Sequence, residues 1–384
     1  MIPLSVPEIS GKEWQYVKEC LDTGWVSSVG SYVTRFETQI AAYVGIPHAV
    51  ACVNGTAALH IALLLSGVGY DDEVIVPTLT FIAPVNVVRY VGAHPVFMDC
   101  DDHLNLDAAK LDEFLATACH RTERGLINTT SGRRIGAIVV VHVFGHPAQM
   151  PAITALAERY ALKVIEDATE SLGAYYPGAA GGEPRFTGTL GDFGCLSFNG
   201  NKLITTGGGG MLLVRDPAMA ERARYLTTQA KDDAVRFVHH AIGYNYRLTN
   251  VLAAIGCAQL ERIQEFIARK RENFSTYQTC LQDIPGLAFI AEPPYARSNY
   301  WHYTLMVDER EYGSTAEALQ QKLAAHAIET RPIWELNHRQ IPYRACQAYK
   351  IERAPEYHRK GLNLPCSVNL DPTIIPEICR WIAK

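Results

Sequence analysis

Short apolar runs rich in Val and Ile recur along the first half of the chain: HAVACVN (48–54), EVIVPT (73–78), HPVFMDC (94–100), IGAIVVVHVF (135–144) and LKVIEDA (162–168). Helical patterns lie between them: GTAALHIALLLSG, FIAPVNVVRYVG, a stretch near 107–117, and PAITALAERYA. A strand with one wet face alternates apolar and polar residues. These runs are apolar throughout, which predicts an α/β protein whose mostly parallel central sheet is sandwiched by helices. Upstream, GKEWQYVKECLDTG predicts an amphipathic helix closed by Gly24, and WVSSVGSYVTRFE a Ser/Gly-rich loop before a helix starting near Tyr32. Two polar segments interrupt the alternation. Residues 118–134 are expected to be a surface excursion, and residues 177–192 a Gly-rich loop. After residue 250 the pattern changes to one long helical run, TNVLAAIGCAQLERIQEFIARKRENFSTYQTCL, and then HYTLMVDE, ALQQKLAAHAI and PEICRWIA. The expectation is a large domain over 1–249 and a smaller C-terminal α/β domain over 250–384.

Composition changes this picture little, but it excludes classes of function. With 48% apolar and 20% charged residues, the chain has the make-up of an ordinary globular protein. A net charge of −5 gives no global attraction to nucleic acid or to anionic membrane. No apolar stretch is long enough to span a bilayer. The N-terminus MIPLSVPEISGKEW lacks the charged start and apolar core of a signal peptide, so a cytoplasmic location is expected. The ten cysteines are scattered without a C-x-x-C pair, which argues against a zinc site or a disulfide scaffold.

The candidate chemistry centres on FGCLSFNGNKLITTGGGGMLLV (193–214). A turn at Asn199–Gly200–Asn201 delivers Lys202, and Gly207–Gly210 open the next apolar run. A lysine among apolar and small neighbours is partly desolvated. Its neutral amine can attack a carbonyl. The glycines would let backbone approach something flat or bulky. By itself the stretch fits a hairpin-loop lysine equally well.

Other segments add partners. In NGTAALHIAL (54–63) a strand ends and Gly55–Thr56 open a helix, whose N-terminus suits phosphate; Thr56 adds a hydroxyl and Ala57 is small. Thr56 could equally be a plain N-cap. In VIEDATESLGA (164–174), Glu166 and Asp167 end a strand where ligands bind in open sheets, and Glu170 could face the same cavity. Asp167 could pair with a protonated ring nitrogen, or merely cap a following helix. Phe81 follows a strand end and could lie against an aromatic ring, or be core. Asn245 and Arg247 stand in a polar, aromatic-rich loop where arginine could meet phosphate or simply solvent. Together, in the order Thr56, Phe81, Asp167, Lys202, they supply what pyridoxal phosphate needs: phosphate anchor, stacking face, ring-nitrogen partner and reactive lysine.

The chain resembles the DegT/DnrJ/StrS family of sugar aminotransferases, which have the fold-type I architecture of aspartate aminotransferase. The resemblance runs through GWVSSVGSYVTRFE, VNGTAALHIAL, VPTLTFIAP, AHPVFMD, VHVFGHPAQM, VIEDATESLGA, GDFGCLSFNGNKLITTGGGGML, GYNYRLTNVLAAIG and LNLPCSV. It implies pyridoxal 5'-phosphate cycling through pyridoxamine 5'-phosphate, with L-glutamate as amino donor and a nucleotide sugar as acceptor. By the same resemblance, Lys202 is the cofactor lysine and proton shuttle, Asp167 the ring-nitrogen partner and Phe81 the stacking residue. Gly55, Thr56, Ala57 and Ser197 form the phosphate cup. Asn245 is donated by a second subunit, which implies a homodimer with shared sites. Trp25, Ser28, His302, Arg331 and His338 fall where relatives meet the sugar nucleotide. No metal is implied.

Two positions depart from the family pattern. Glu170 stands near the cofactor's phenolic oxygen where Gln or His is usual, and Gly208 stands where Glu or Asp is common. Within the family, LSVPEISGKEW…LDTGWVSSVGSYV and TTQAKDD…YNYRLTN are most similar to enzymes that aminate C4 of a UDP-linked 4-keto-6-deoxy-N-acetylhexosamine, on routes to legionaminic-acid or bacillosamine-type glycans. An amination of a dTDP- or GDP-linked keto sugar is the neighbouring alternative. In the related pyridoxamine-phosphate dehydratases a histidine replaces the lysine, so Lys202 argues against that chemistry, and the full set of cofactor residues argues against a non-catalytic sensor.

Overall fold

A computed structural model describes residues 1–178, 181–233 and 235–384; Ala179 and Ala180 of the expected Gly-rich loop lie outside the described residues. An eight-stranded sheet runs in the order His48–Cys52, Gly210–Val214, Phe193–Ser197, Lys163–Asp167, Ile135–Val141, Glu73–Pro77, His94–Met98, Ala348–Tyr349. Only Gly210–Val214 is antiparallel to its neighbours. All other adjacent pairs are parallel.

Successive strand residues point to opposite faces, so a strand covered twice must be apolar at both parities. In Glu73–Pro77, Val74 and Val76 pack into one cluster with the helices Gly55–Leu65 and Ala83–Tyr90. Ile75, between them, packs on the other side with the helices Ala108–Thr117 and Met150–Tyr160. This is why the runs read as continuous. The first helix, Glu13–Thr23, ends at Gly24 in the left-handed region (φ 72°), and the second spans Ser31–Val44.

One expectation is corrected, the single long helix, and two others gain detail. Residues 118–134 contain a β-hairpin, Cys119–Thr122 with Gly125–Asn128. The long run after residue 250 is two helices, Asn250–Leu260 and Ile263–Leu281, separated at Glu261–Arg262. The two parts of the chain also exchange segments. A four-stranded antiparallel sheet (Leu287–Phe289, Tyr303–Val307, Gly361–Leu364, Arg331–Pro332) anchors the smaller C-terminal unit. Yet Ala348–Tyr349 joins the large sheet beside His94–Met98, and Ile2 bridges to Ile328 of the small unit. A boundary at 249/250 therefore does not separate every contact. Among the described residues no helix is long and apolar enough to cross a membrane.

Candidate active site

The carboxyl ends of Lys163–Asp167 and Phe193–Ser197 meet the start of Gly55–Leu65 at a cavity of about 910 Å³. This is where open α/β sheets bind ligands. Parity separates the two acids at the strand end. Glu166 is fully buried away from the cavity and accepts N–H groups of Gly188, Leu190 and Gly191, with His142 Nε2 at 3.0 Å. It is structural. Asp167, one residue on, lines the cavity, where its Oδ1 accepts the N–H of Thr169 at 3.1 Å. No helix follows it, so it is not a helix cap. Burial raises its pKa, with Thr169, Lys202 and His142 pulling the other way.

Lys202 ends the predicted turn, its N–H donating to Asn199 O at 3.0 Å. Its ammonium lies 3.9 Å from the centroid of the Trp301 ring and 3.7 Å from Glu170 Oε1. Burial lowers its pKa against the opposing pull of Glu170 and Asp167. Trp301 is held at two points: its indole Nε1–H donates to Asn201 O at 2.8 Å, and its backbone carbonyl accepts from the buried Lys270 ammonium at 2.7 Å. The lysine is thus held between an aromatic face and a carboxyl group, which a solvated hairpin lysine would not be.

At the helix start the cap is Asn54, not Thr56. Its Oδ1 accepts the Ala57 N–H at 2.7 Å. This takes the Ala57 donor away from any ligand, while the N–H groups of Gly55 and Thr56 belong to the first turn, which needs no partner within the helix. Thr56 and Ser197 both line the cavity. A Cβ on Gly55 would sit 3.0 Å from the Ser197 Cβ, so the two segments close on one another. Phe81 is not core: it is 53% exposed, lines the cavity and lies 6.3 Å from the Trp334 ring.

The glycine run serves a different contact from the one expected. A Cβ on Gly210 would lie 2.4 Å from the carbonyl carbon of Asn54 and 2.7 Å from the nitrogen of Gly55. The close approach is between two stretches of the protein's own backbone, and it seats the helix start. Gly208, one of the two family departures, has nothing within 4 Å of an added Cβ and so accepts a side chain freely.

Of the expected sugar contacts, His302 and Arg331 line the cavity. His302 is buried with its Nδ1 3.3 Å from Cys366 Sγ, and burial drives its pKa down, with Lys270 and Lys202 adding to the effect. Arg331 is largely exposed beside Glu329. His338 does not line it; its Nδ1 is bound to Thr78 Oγ1 at 2.7 Å, which turns the ring toward the strand end. Trp25 and Ser28 lie on a loop that Asn250 holds through Trp25 O and Ser27 O, and neither lines this cavity. Asn245 is exposed and likewise outside it, bridged to Thr228. Arg247 is an internal clamp on Glu37 and Ala51 O. Cavity residues that sequence reasoning missed include Asn54, Phe144, Trp301 and Trp334. Asn54 could have been found from its type at a strand-to-helix junction. The aromatics carry no local signal. Among the described residues no cluster of three or more His, Cys, Asp or Glu could hold a metal ion.

A model of the DegT/DnrJ/EryC1/StrS aminotransferases matches residues 7–383. The chain belongs to that family. This aminotransferase is 39% identical over 381 residues to a GDP-perosamine synthase of Caulobacter vibrioides, covering 98% of the chain and 96% of the relative. It is 38% identical to the GDP-perosamine synthase of Escherichia coli O157:H7, covering 99% and 97%. Its fold superposes on DesI, solved in the presence of its TDP-sugar product, with a TM-score of 0.87 and 27% identity, covering 100% of this chain and 93% of that one. The fold-type expectation is met. The UDP-N-acetylhexosamine subgroup is not, since these relatives are named for GDP- and TDP-linked sugars.

Pyridoxal phosphate is the cofactor of the family, and the residues present fit it: a desolvated amine, a strand-end carboxylate, a tight helix start with hydroxyls beside it, and an uncovered aromatic ring. For the aminotransferase, Gly210→Ala is expected to cost about 1–3 kcal/mol by overpacking and to loosen cofactor binding, because the added methyl displaces Asn54 and Gly55. Gly208→Ala should change neither property. Thermal unfolding and cofactor retention after desalting test the pair; equal behaviour of the two variants would refute the seating role.

Proposed function

We propose that this aminotransferase moves the amino group of glutamate to C4 of a GDP-linked 4-keto-6-deoxy sugar. The observation that carries the reading is the placement of Lys202 in the cavity, between Trp301 and Glu170 and in reach of the strand-end Asp167. The GDP moiety is taken from the likeness to the two GDP-perosamine synthases. A thymidine nucleotide is the second reading, favoured by the likeness to DesI.

Bound pyridoxal phosphate supplies a carbonyl and an electron-accepting ring. The chain does the rest. Gly55 and Thr56 N–H groups, with the hydroxyls of Thr56 and Ser197, hold the phosphate at the positive end of the helix. Asp167 keeps a positive charge at the ring nitrogen, since an ion pair favours the charged form of both partners. Phe81 covers the ring. Lys202 would be the residue that attaches the cofactor and, when released, the general base and acid at Nζ; burial lowers its pKa, which favours the neutral amine. His302 and Arg331, which line the cavity, would meet the sugar nucleotide.

A homodimer is part of the proposal, with Asn245 reaching the partner's phosphate. Apolar side chains left exposed in two segments support it: Trp25, Val26 and Val29 in one, and Val235, Phe237, Val238 and Ile242 in the other. Trp25, Ser28 and Asn245 then act across the interface. The test is a panel of GDP-, dTDP- and UDP-4-keto sugars with glutamate. The expected result is ping-pong kinetics with kcat/KM highest for GDP; preference for another nucleotide, or amination at C3, would overturn the substrate assignment. A fully active monomer on gel filtration would remove Asn245 from the site.

A further inference from the structure

Lys270 is 3% exposed, and its ammonium donates to Trp301 O at 2.7 Å and to Cys366 O at 2.5 Å. An ammonium carries three protons and accepts none. This one also faces the Cys366 side chain. Burial raises the pKa of that thiol, and the charge and hydrogen bond of Lys270, with Ser5, work against the rise. The thiol therefore keeps its hydrogen while its sulfur receives donors. Cys366 Sγ also lies 3.3 Å from His302 Nδ1. Lys270 cannot accept the thiol hydrogen, so it goes to Nδ1. Nδ1 is then the accepting nitrogen of a neutral imidazole, and Nε2 is the one that carries hydrogen.

Nothing in the protein uses that hydrogen. Among the described residues Nε2 has no hydrogen-bond partner. Nor is it sealed in, unlike His60 Nε2 and both ring nitrogens of His146, which are buried and unpaired. His302 lines the cavity instead. Burial drives its pKa well below the ordinary imidazole value, and the charges of Lys270 and Lys202 add to the effect, so the ring stays uncharged. The ring is also fixed in place. It packs on Trp301 with 4.0 Å between centroids and meets the Phe144 ring edge-on at 5.4 Å. Trp301 is at the same time 3.9 Å from the Lys202 ammonium, which puts the Nε2 donor in the neighbourhood of the reacting carbon.

A phosphate is held best by cations or by several N–H groups at once, whereas one neutral donor suits a hydroxyl or keto oxygen. We propose that Cys366 is a positioning residue that fixes His302 as a neutral imidazole with its Nε2–H turned into the cavity, and that this donor takes an uncharged oxygen of the sugar and not a phosphate of the nucleotide. The buried ammonium of Lys270 is what makes the thiol a donor toward His302. A thiol without that neighbour could accept from Nδ1–H just as well, and Nε2 would then face the sugar as an acceptor. The inference rests on the sugar nucleotide occupying this cavity.

The tautomer is read by ¹⁵N NMR of the histidine-labelled holoenzyme at neutral pH, with the His302 signals assigned by their loss in His302→Gln. The wild type should show a bare Nδ1 and a protonated Nε2. Cys366→Ser, whose hydroxyl can still donate, should keep that pattern, and Cys366→Ala should give a mixture. A protonated Nδ1 in the wild type, or an unchanged tautomer in Cys366→Ala, overturns the proposal. Single-turnover kinetics of the two half-reactions read the consequence. Cys366→Ala should slow the sugar half-reaction about tenfold, the worth of one hydrogen bond. It should leave the glutamate half-reaction and inhibition by GDP alone unchanged, and Cys366→Ser should restore the rate. Equal slowing of both halves, or weaker inhibition by GDP, overturns the assignment of the donor to a sugar oxygen. A wild type that GDP does not inhibit overturns the GDP reading only. The kinetics are then repeated with the nucleotide that the substrate panel selects, and the tautomer, which needs no substrate, is decided either way.

Discussion

Replacing Lys202 with alanine is expected to abolish borohydride-stable attachment of the cofactor and to lower the amination rate by about 10⁴-fold, the upper end for a positioned acid–base group. The size follows from the lack of a substitute. Lys270 is the other buried lysine near the site, and its ammonium is committed to the carbonyls of Trp301 and Cys366. Lys202→Arg is the sharper experiment. Guanidinium keeps the charge between Trp301 and Glu170 but does not deprotonate in proteins, so it cannot present a neutral amine. If the site needs only a cation, arginine rescues; if it needs a nucleophile and base, arginine is as inactive as alanine. Single-turnover rates with added small amines complete the test, since an amine of the right size should restore part of the alanine variant's activity and none of the arginine variant's. A Lys202→Ala protein that keeps a tenth of the wild-type rate would end the assignment.

The second large effect is expected at Asp167. Asp167→Asn keeps the shape and removes the charge, and breaking a buried ion pair costs about 3–5 kcal/mol. If that loss falls on the transition state, the rate drops by roughly 10²–10⁴-fold. Stability should move the other way. Burial raises the Asp167 pKa, so the ionised form is disfavoured in the folded protein without its ring partner. The native state then holds this proton more tightly than the unfolded chain. The site's contribution is fully present below the ordinary carboxylate range and is lost as pH rises through the raised value. At neutral pH the cofactor-free Asp167→Asn protein should therefore be at least as stable as the wild type, while being far less active. Urea denaturation of the cofactor-free proteins and kcat/KM of the loaded ones check the two halves. Lower stability together with unchanged kcat/KM would make Asp167 a structural residue like its neighbour Glu166.

That neighbour shows where sequence reading stops. Glu166 and Asp167 are adjacent acids at one strand end, and nothing in the string VIEDATE says which faces the cavity. Parity of the pleat decides it, and parity is fixed only once Val164 and Ile165 have chosen their sides of the sheet. The same holds for the glycine run. Its presence was readable, but the contact with Asn54 and Gly55 joins segments more than 150 residues apart, and it appears only when Gly210–Val214 lies antiparallel beside His48–Cys52.

The sequence by itself determined the α/β sandwich, because a strand buried on both faces must be apolar at every position and the helices between such strands must be long enough to cross back. It also determined the chemical inventory: a reactive lysine, a strand-end acid, a helix start for phosphate and a family resemblance that named the cofactor. The tertiary structure alone decided how that inventory is used. It put Trp301 and Glu170, 99 and 32 residues from Lys202 in the chain, both within 4 Å of its ammonium. It left His338 facing Thr78 and Asn245 outside its own chain's cavity. Local patterns record the period of an element and the residues at its ends. They do not record which distant side chain desolvates a lysine, and that desolvation sets its protonation.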